Sequence, residues 1–159
     1  MDQVKISKIL KFFTILTAIV GGIFFFLFMP YMIHMAANEM KEVSYLEMPG
    51  KIGIWIIAIL CYIALYYFWK ICDEIGKENS FCNENVISMK HIGEIGCLVC
   101  VLILLGDIYM AVIGYLHPGL ILVSFFFIFV GSGLSVICFA LSLLIKNAAK
   151  IKHENDLTI

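Results

Sequence analysis

Four apolar runs dominate this chain, and each is long enough to cross a lipid bilayer. A bilayer core of roughly 30 Å takes about 20 helical residues at about 1.5 Å per residue. The runs lie at about 9–36, 52–71, 92–115 and 120–146. Lipid offers a backbone amide no water to bond, so each run must satisfy its own hydrogen bonds as a helix. The expected fold is all-α: an integral membrane four-helix bundle of two antiparallel hairpins, forming a single transmembrane domain over 1–159. Hydrophobic residues make up 62% of the chain and mean hydropathy is +1.00. A soluble domain sits nearer half apolar, so most of this chain has lipid for its solvent.

The longest polar interval between apolar runs is Lys70–Gly96, reading KICDEIGKENSFCNENVISMKHIGEIG. Its middle, 72–91, is expected to connect the two hairpins. Gly76 marks a left-handed helix stop there, and Asn79-Ser80 is turn chemistry. A new helix is expected from Cys82 or Asn83, with Phe81 and Val86 spaced as a hydrophobic staple. Beyond it, Val86, Met89, Gly93, Gly96, Cys97 and Cys100 recur at helical spacing, while Glu84, Ser88 and His91 share another face.

Lysine placement sets the orientation. Lys5, Lys8, Lys11, Lys70, Lys77, Lys90, Lys146, Lys150 and Lys152 fall on one side of the four runs, and Lys41 and Lys51 on the other. By the positive-inside rule both termini and the connector are expected in the cytoplasm. The first run is longer than a signal-peptide core, and no small-x-small cleavage site follows it, so a retained span is expected. Pro30 should loosen its last turns. Residues 36–51 read as an outer loop closed by Pro49-Gly50, its first half suited to a short surface helix. Pro118 suits the first turn of the fourth helix, which makes the second hairpin tight.

Several chemistries find no footing. Net charge is -1 and arginine is absent, so the basic footprint of direct nucleic-acid binding is missing. No phosphate-cradling glycine loop, nucleophile elbow or H-E-x-x-H sequence occurs, and no catalytic residue or cofactor site is expected. Cys72, Cys82 and His91 match no zinc spacing, so no metal site is expected. The C-x-x-C of Cys97 and Cys100 lies inside an apolar helix and reads as packing.

The costly residues are those in lipid. Asp107 lies eight residues before Tyr115, about 12 Å inside the third run. An acid there costs roughly 2.5–3.5 kcal/mol on insertion scales, so it should face a partner. Tyr31, His34 and Ser124 are the candidates in that half. With His34 and Glu94 it makes up the intramembrane polar set, Glu94 being placed to pair with Lys90 four residues before. Gly131 and Ser135 form a small-x-x-x-small pair that fits helix packing, within the chain or between copies in a homo-oligomer, with Gly21-Gly22 as the complementary surface.

Gly76-Lys77 followed by Phe81, Asn85-Val86, and Ile92-Gly93 at the third span form a pattern. Together with the terminal Glu154-Asn155-Asp156-Leu157-Thr158-Ile159, it resembles the small four-span bacterial membrane proteins of domain-of-unknown-function family 2975. The resemblance implies a multi-pass protein of the bacterial inner or plasma membrane and brings no established activity. Members are often encoded beside a small helix-turn-helix regulator, which implies a regulatory partner at the membrane.

Two functions from different classes follow. One is a non-enzymatic membrane anchor, sensor or regulator that binds a cytosolic protein. It would use Phe81, Glu84 and Ser88 of the connector and Lys150, Lys152, Glu154, Asp156 and Ile159 of the tail. The other is a small transporter or ion-coupled carrier built on Asp107. Against the carrier, the two hairpins share one orientation, so a single chain has no inverted repeat.

Overall fold

A computed structural model describes residues 3–39 and 41–156. Four helices account for nearly all of them: α1 (Gln3–Glu39), α2 (Glu47–Gly76), α3 (Asn83–Val112) and α4 (Pro118–Asp156). They form the expected all-α membrane bundle of two antiparallel hairpins, and all four are long and apolar enough to span a bilayer. At 30, 30 and 39 residues, α2, α3 and α4 extend to about 45, 45 and 58 Å, well beyond the hydrocarbon core.

The packing is inside-out compared with a soluble bundle. The seams hold small and hydroxylic residues: Ser7, Thr14, Ala58, Ser124, Ser135 and Ser142 are all buried. Large apolar side chains such as Phe12, Val112, Leu122, Phe125 and Phe129 face outward. In lipid, apolar burial between helices gains little, so close backbone approach and interhelical hydrogen bonds decide the contacts. Ser7 Oγ donates to the Cys72 carbonyl at 2.6 Å and Tyr62 OH to the Ala18 carbonyl at 2.7 Å, fastening α1 to α2. Ser142 Oγ donates to the Val86 carbonyl at 3.0 Å, fastening α4 to α3. Other hydroxyls on lipid-level turns bond their own helix, as Thr14 to Leu10 and Thr17 to Phe13 do.

Among the described residues α1 packs on α2, α2 on α3, and α3 on α4, while α1 and α4 make no close backbone approach. The bundle is therefore open along one side. An apolar cleft of about 480 Å³ lies there, lined by Leu16, Thr17, Val20, Gly21, Phe24 and Phe127. The expected match of Gly131 and Ser135 to Gly21-Gly22 does not form. Gly131 instead meets α3, where a Cβ would stand 2.8 Å from Cys100 Sγ, and a Cβ on Gly96 would collide with Ser135 Oγ. The hairpin partner is nearer along the chain and offers its own small residues, so this small-residue pair is used within the chain.

Several boundaries differ from the sequence reading, each for a local reason. α1 passes through a π-helical turn at Phe24–Phe28, with the Met29 amide bonding the Phe24 carbonyl. This register shift falls just before Pro30, which has no amide to donate. After α1, a 3-10 segment spans Lys41–Leu46. Pro49 and Gly50 do not close a loop: they lie in the first turn of α2, where an amide would have no intrahelical acceptor. α2 runs through Gly76, and the left-handed residue is Glu78 at φ 59°. Asn79 N bonds the Glu74 carbonyl at 3.0 Å and Glu78 N that of Ile75 at 3.1 Å, a Schellman ending on a non-glycine residue. Gly76 is small for another reason, since a Cβ there would lie 2.8 Å from Ser7 Oγ. α3 stops at Val112 because Gly114, at φ 79°, closes a second Schellman ending through Tyr115 N to the Met110 carbonyl at 3.1 Å. His117 then caps α4: its Nδ1 accepts the Gly119 amide at 3.1 Å.

Candidate functional site

The polar side chains gather at the connector end. Cys82 begins α3 in an extended conformation, with no side-chain bond to the helix amides. Asn85, in the first turn, takes over the tethering: its Nδ2 donates to the Ser80 carbonyl at 2.9 Å, folding the connector onto α3. Ser80 Oγ reaches across to Gln3 Oε1 at 3.2 Å, and Lys11 pairs with Asp73 while standing 5.4 Å over the Trp69 ring. The start of α1 is thus bound to the end of α2 and to the connector. Glu74 accepts from Lys77 Nζ at 2.6 Å and from Asn79 Nδ2 at 3.3 Å. That carboxylate raises the Lys77 ammonium pKa above its ordinary value.

Between α2 and α3 at this end lies a cleft of about 530 Å³, lined mainly by residues with polar or charged ends. Tyr67, Lys70, Asp73, Glu74 and Lys77 come from α2 and its ending, and Glu84, Asn85, Ile87, Ser88 and His91 from α3. The Tyr67 and His91 rings meet at 4.9 Å between centroids. His91 Nδ1 is bonded to Glu94 at 3.0 Å, and Lys90 joins the same carboxylate at 3.5 Å. Lys70 Nζ rests 4.8 Å over the Tyr66 ring and 5.8 Å from the Tyr67 ring. Asn85 is 1% exposed, and its Oδ1 has no hydrogen-bond partner among the described residues.

The residues singled out from sequence fall in four places. Glu84 and Ser88 line the cleft, the first exposed and the second buried, and Phe81 stands beside them 54% exposed. Lys150 lies on the exposed surface of α4, which continues as helix to Asp156. The side chains of Lys152, Glu154 and Asp156, and all of Ile159, lie outside the described residues. Asp107 lies near the hairpin-turn end of α3, which stops at Val112, and Ser124 Oγ donates to its Oδ1 at 2.9 Å. Tyr31 and His34 are not its partners. His34 Nδ1 is 2.8 Å from Glu47 and its Nε2 is 3.2 Å from Asn38 Nδ2, while Lys51 completes the cluster at 2.6 Å from Glu47. This cluster is at the opposite end from the connector. Close by, Tyr115 OH donates to Glu42, linking the two turns at that end.

Lys70 and Asn85 were not legible as site residues. Lys70 read only as a marker of orientation, and Asn85 sits in a helix where a polar side chain usually faces water. The spacing of Glu84, Ser88 and His91 was a signal, because that face becomes one wall of the cleft. No group of three or more potential metal ligands occurs among the described residues.

The family model described as "Protein of unknown function (DUF2975)" matches residues 31–159. The chain belongs to that family. It is similar to the uncharacterized membrane protein YoaS of Bacillus subtilis (strain 168), with 26% identity over 132 residues that cover 82% of each chain. No solved structure matches it. Membership and the four spanning helices make this chain a multi-pass bacterial membrane protein of the DUF2975 family.

Proposed function

We propose that this DUF2975 protein is a non-enzymatic membrane anchor or regulator that binds a cytosolic protein through its connector and the end of α4. One observation carries the reading: the Ser142–Val86 hydrogen bond roots α4 beside the start of α3. From there α4 runs on as helix to Asp156, past the apolar run. The end of α4 and the connector therefore rise from one end of the bundle and form a composite surface. Phe81 supplies an exposed apolar anchor and Glu84 a charge beside it. Exposed aromatic residues set among polar ones are the usual anchors of protein interfaces.

The orientation belongs to the same proposal. With nine lysines at this end and two at the other, the positive-inside rule puts the composite surface in the cytoplasm. A small helix-turn-helix regulator is the class of partner proposed.

The test is crosslinking in native membranes followed by purification of the full chain and of a Phe81→Ala, Glu84→Lys variant. The reading expects a small DNA-binding protein to be recovered with the first and lost with the second. Equal recovery from both, or recovery from neither, overturns it. Proton or cation flux through purified protein in vesicles, abolished by Asp107→Asn, would favour a carrier instead.

A further inference from the structure

The geometry points to a ligand site in the cleft between α2 and α3, for a phosphoethanolamine group: a phosphate and a primary ammonium joined by two carbons. Most charges lining the cleft are already matched. Asp73 is held by Lys11, Glu74 by Lys77 and Asn79, and His91 Nδ1 by Glu94. What remains is a short set of opposite character. Lys70 Nζ lies over aromatic faces and has no carboxylate partner among the described residues. Glu84 is exposed at the cleft and has no cation partner among the described residues. Asn85 Oδ1 is a buried acceptor with no donor among the described residues. His91 Nε2 and the Ser88 hydroxyl stand on the same wall.

A buried acceptor left without a donor costs roughly 1–3 kcal/mol, so Asn85 asks for a group with N–H or O–H bonds. A simple anion on Lys70 would leave that acceptor unmet and would face Glu84. A simple cation on Glu84 and Asn85 would face Lys70. A zwitterion answers both, its ammonium on Glu84 and Asn85 and its phosphate on Lys70 and on the Nε2–H of a doubly protonated His91, whose Nδ1–H donates to Glu94. The cleft volume of about 530 Å³ is that of an ordinary small-molecule site. Its position beside Tyr66, Tyr67 and Trp69, aromatic residues of the kind that settle at the headgroup level, gives a lipid headgroup direct access. Free phosphoethanolamine would reach the same cleft from water. The inference does not rest on partner binding.

The experiment uses the full chain in nanodiscs of phosphatidylglycerol alone or mixed with phosphatidylethanolamine, with bound lipid read by native mass spectrometry. A third arm adds free phosphoethanolamine to the phosphatidylglycerol discs. Lys70→Gln and Glu84→Gln both alter exposed side chains, and circular dichroism checks their folding. They are preferred to Asn85→Ala, which would also release the Ser80 tether. Retention of phosphatidylethanolamine over phosphatidylglycerol, reduced about tenfold in each variant, supports the site with a lipid source. Binding of the free compound with the same loss supports it with a soluble source. The site is overturned by equal retention of both lipids with no free binding, or by a preference that both variants keep.

Discussion

Ser124 Oγ donates a hydrogen bond to Asp107 Oδ1 at 2.9 Å, joining α3 and α4 near their hairpin turn through an acidic residue inside an apolar run. Ser124 is buried and Asp107 only partly so. A carboxyl at this depth is costly, and a hydroxyl from the facing helix offsets part of the cost.

Asp107→Asn should therefore keep most of the stability, because the amide oxygen still accepts from Ser124. Asp107→Leu loses the bond and leaves Ser124 without its partner. The expected difference between the two variants is about 0.6 kcal/mol and at most about 1.7 kcal/mol, the range for interhelical bonds in membranes. Thermal unfolding in detergent measures it. Equal stability of the two variants would mean that the bond adds nothing to the hairpin.

The α3–α4 contact makes a second prediction through Gly96. A Cβ there collides with Ser135 Oγ, which is itself bonded to the Gly131 carbonyl at 2.8 Å. Gly96→Val should destabilise the hairpin by about 1–3 kcal/mol, as overpacking does. Adding Ser135→Ala removes the colliding atom and should return part of the loss. A double-mutant cycle with no coupling between the two sites would be inconsistent with this contact.

How much of this was readable in advance depends on the range of the cause. The four spans, the hairpin turn at Pro118 and the packing role of Gly131 and Ser135 follow from composition and local spacing, and all are found. The partner of that small pair was misassigned, because nothing in the sequence says which helices lie side by side. The same limit hid the Lys11–Asp73 pair and the Asn85 tether. The helix stop was misread by two residues. Glycine is the usual left-handed residue, but here Gly76 serves the contact with Ser7 while Glu78 takes the positive φ. For the candidate site, Glu84, Ser88 and His91 were visible as a helix face. Lys70 and Tyr67 were not, because the cleft exists only once α2 is laid against α3.

Glu78 itself supplies the third prediction. A non-glycine residue in the left-handed region costs roughly 1–2 kcal/mol, and glycine there gives back part of that as unfolded-state entropy. Glu78→Gly should raise stability by up to about 1 kcal/mol without altering the span. Asn should give a smaller gain. A fall in melting temperature for Glu78→Gly would mean that the carboxylate holds something the backbone argument omits.

At the turns opposite the connector the pH dependence has a definite sign. The Glu42 carboxylate accepts the Tyr115 hydrogen bond and repels a phenolate, so the Tyr115 pKa is raised above its ordinary value of about 10. The folded state then favours the neutral phenol. Its contribution to stability is complete below the unfolded value and is lost as pH rises through the folded one, on the alkaline side. Ultraviolet difference titration of the wild type against Tyr115→Phe should show a late phenolate transition. Glu42→Gln should move that transition to lower pH, and an unmoved midpoint would contradict the assignment.

The orientation prediction reaches furthest, because the proposed partner surface has meaning only if it faces the cytoplasm. The antiparallel hairpins put the start of α1, the connector and the end of α4 at one end, with nine lysines, and the remaining turns at the other, with Lys41 and Lys51. Lysine bias near span ends sets topology through the difficulty of moving positive charge across the membrane. In a cysteine-free background, Tyr45→Cys should be modified by a membrane-impermeant maleimide in intact cells. Asn79→Cys should be modified only after permeabilisation. Both positions border the polar turns, so neither probe disturbs a seam residue. Modification of position 79 from outside would invert the protein. The connector and the end of α4 would then face away from any cytosolic regulator, and the proposed function would fall with the topology. The cleft between α2 and α3 would remain at a headgroup level, but in the outer leaflet, so the lipid site would still stand to be tested there.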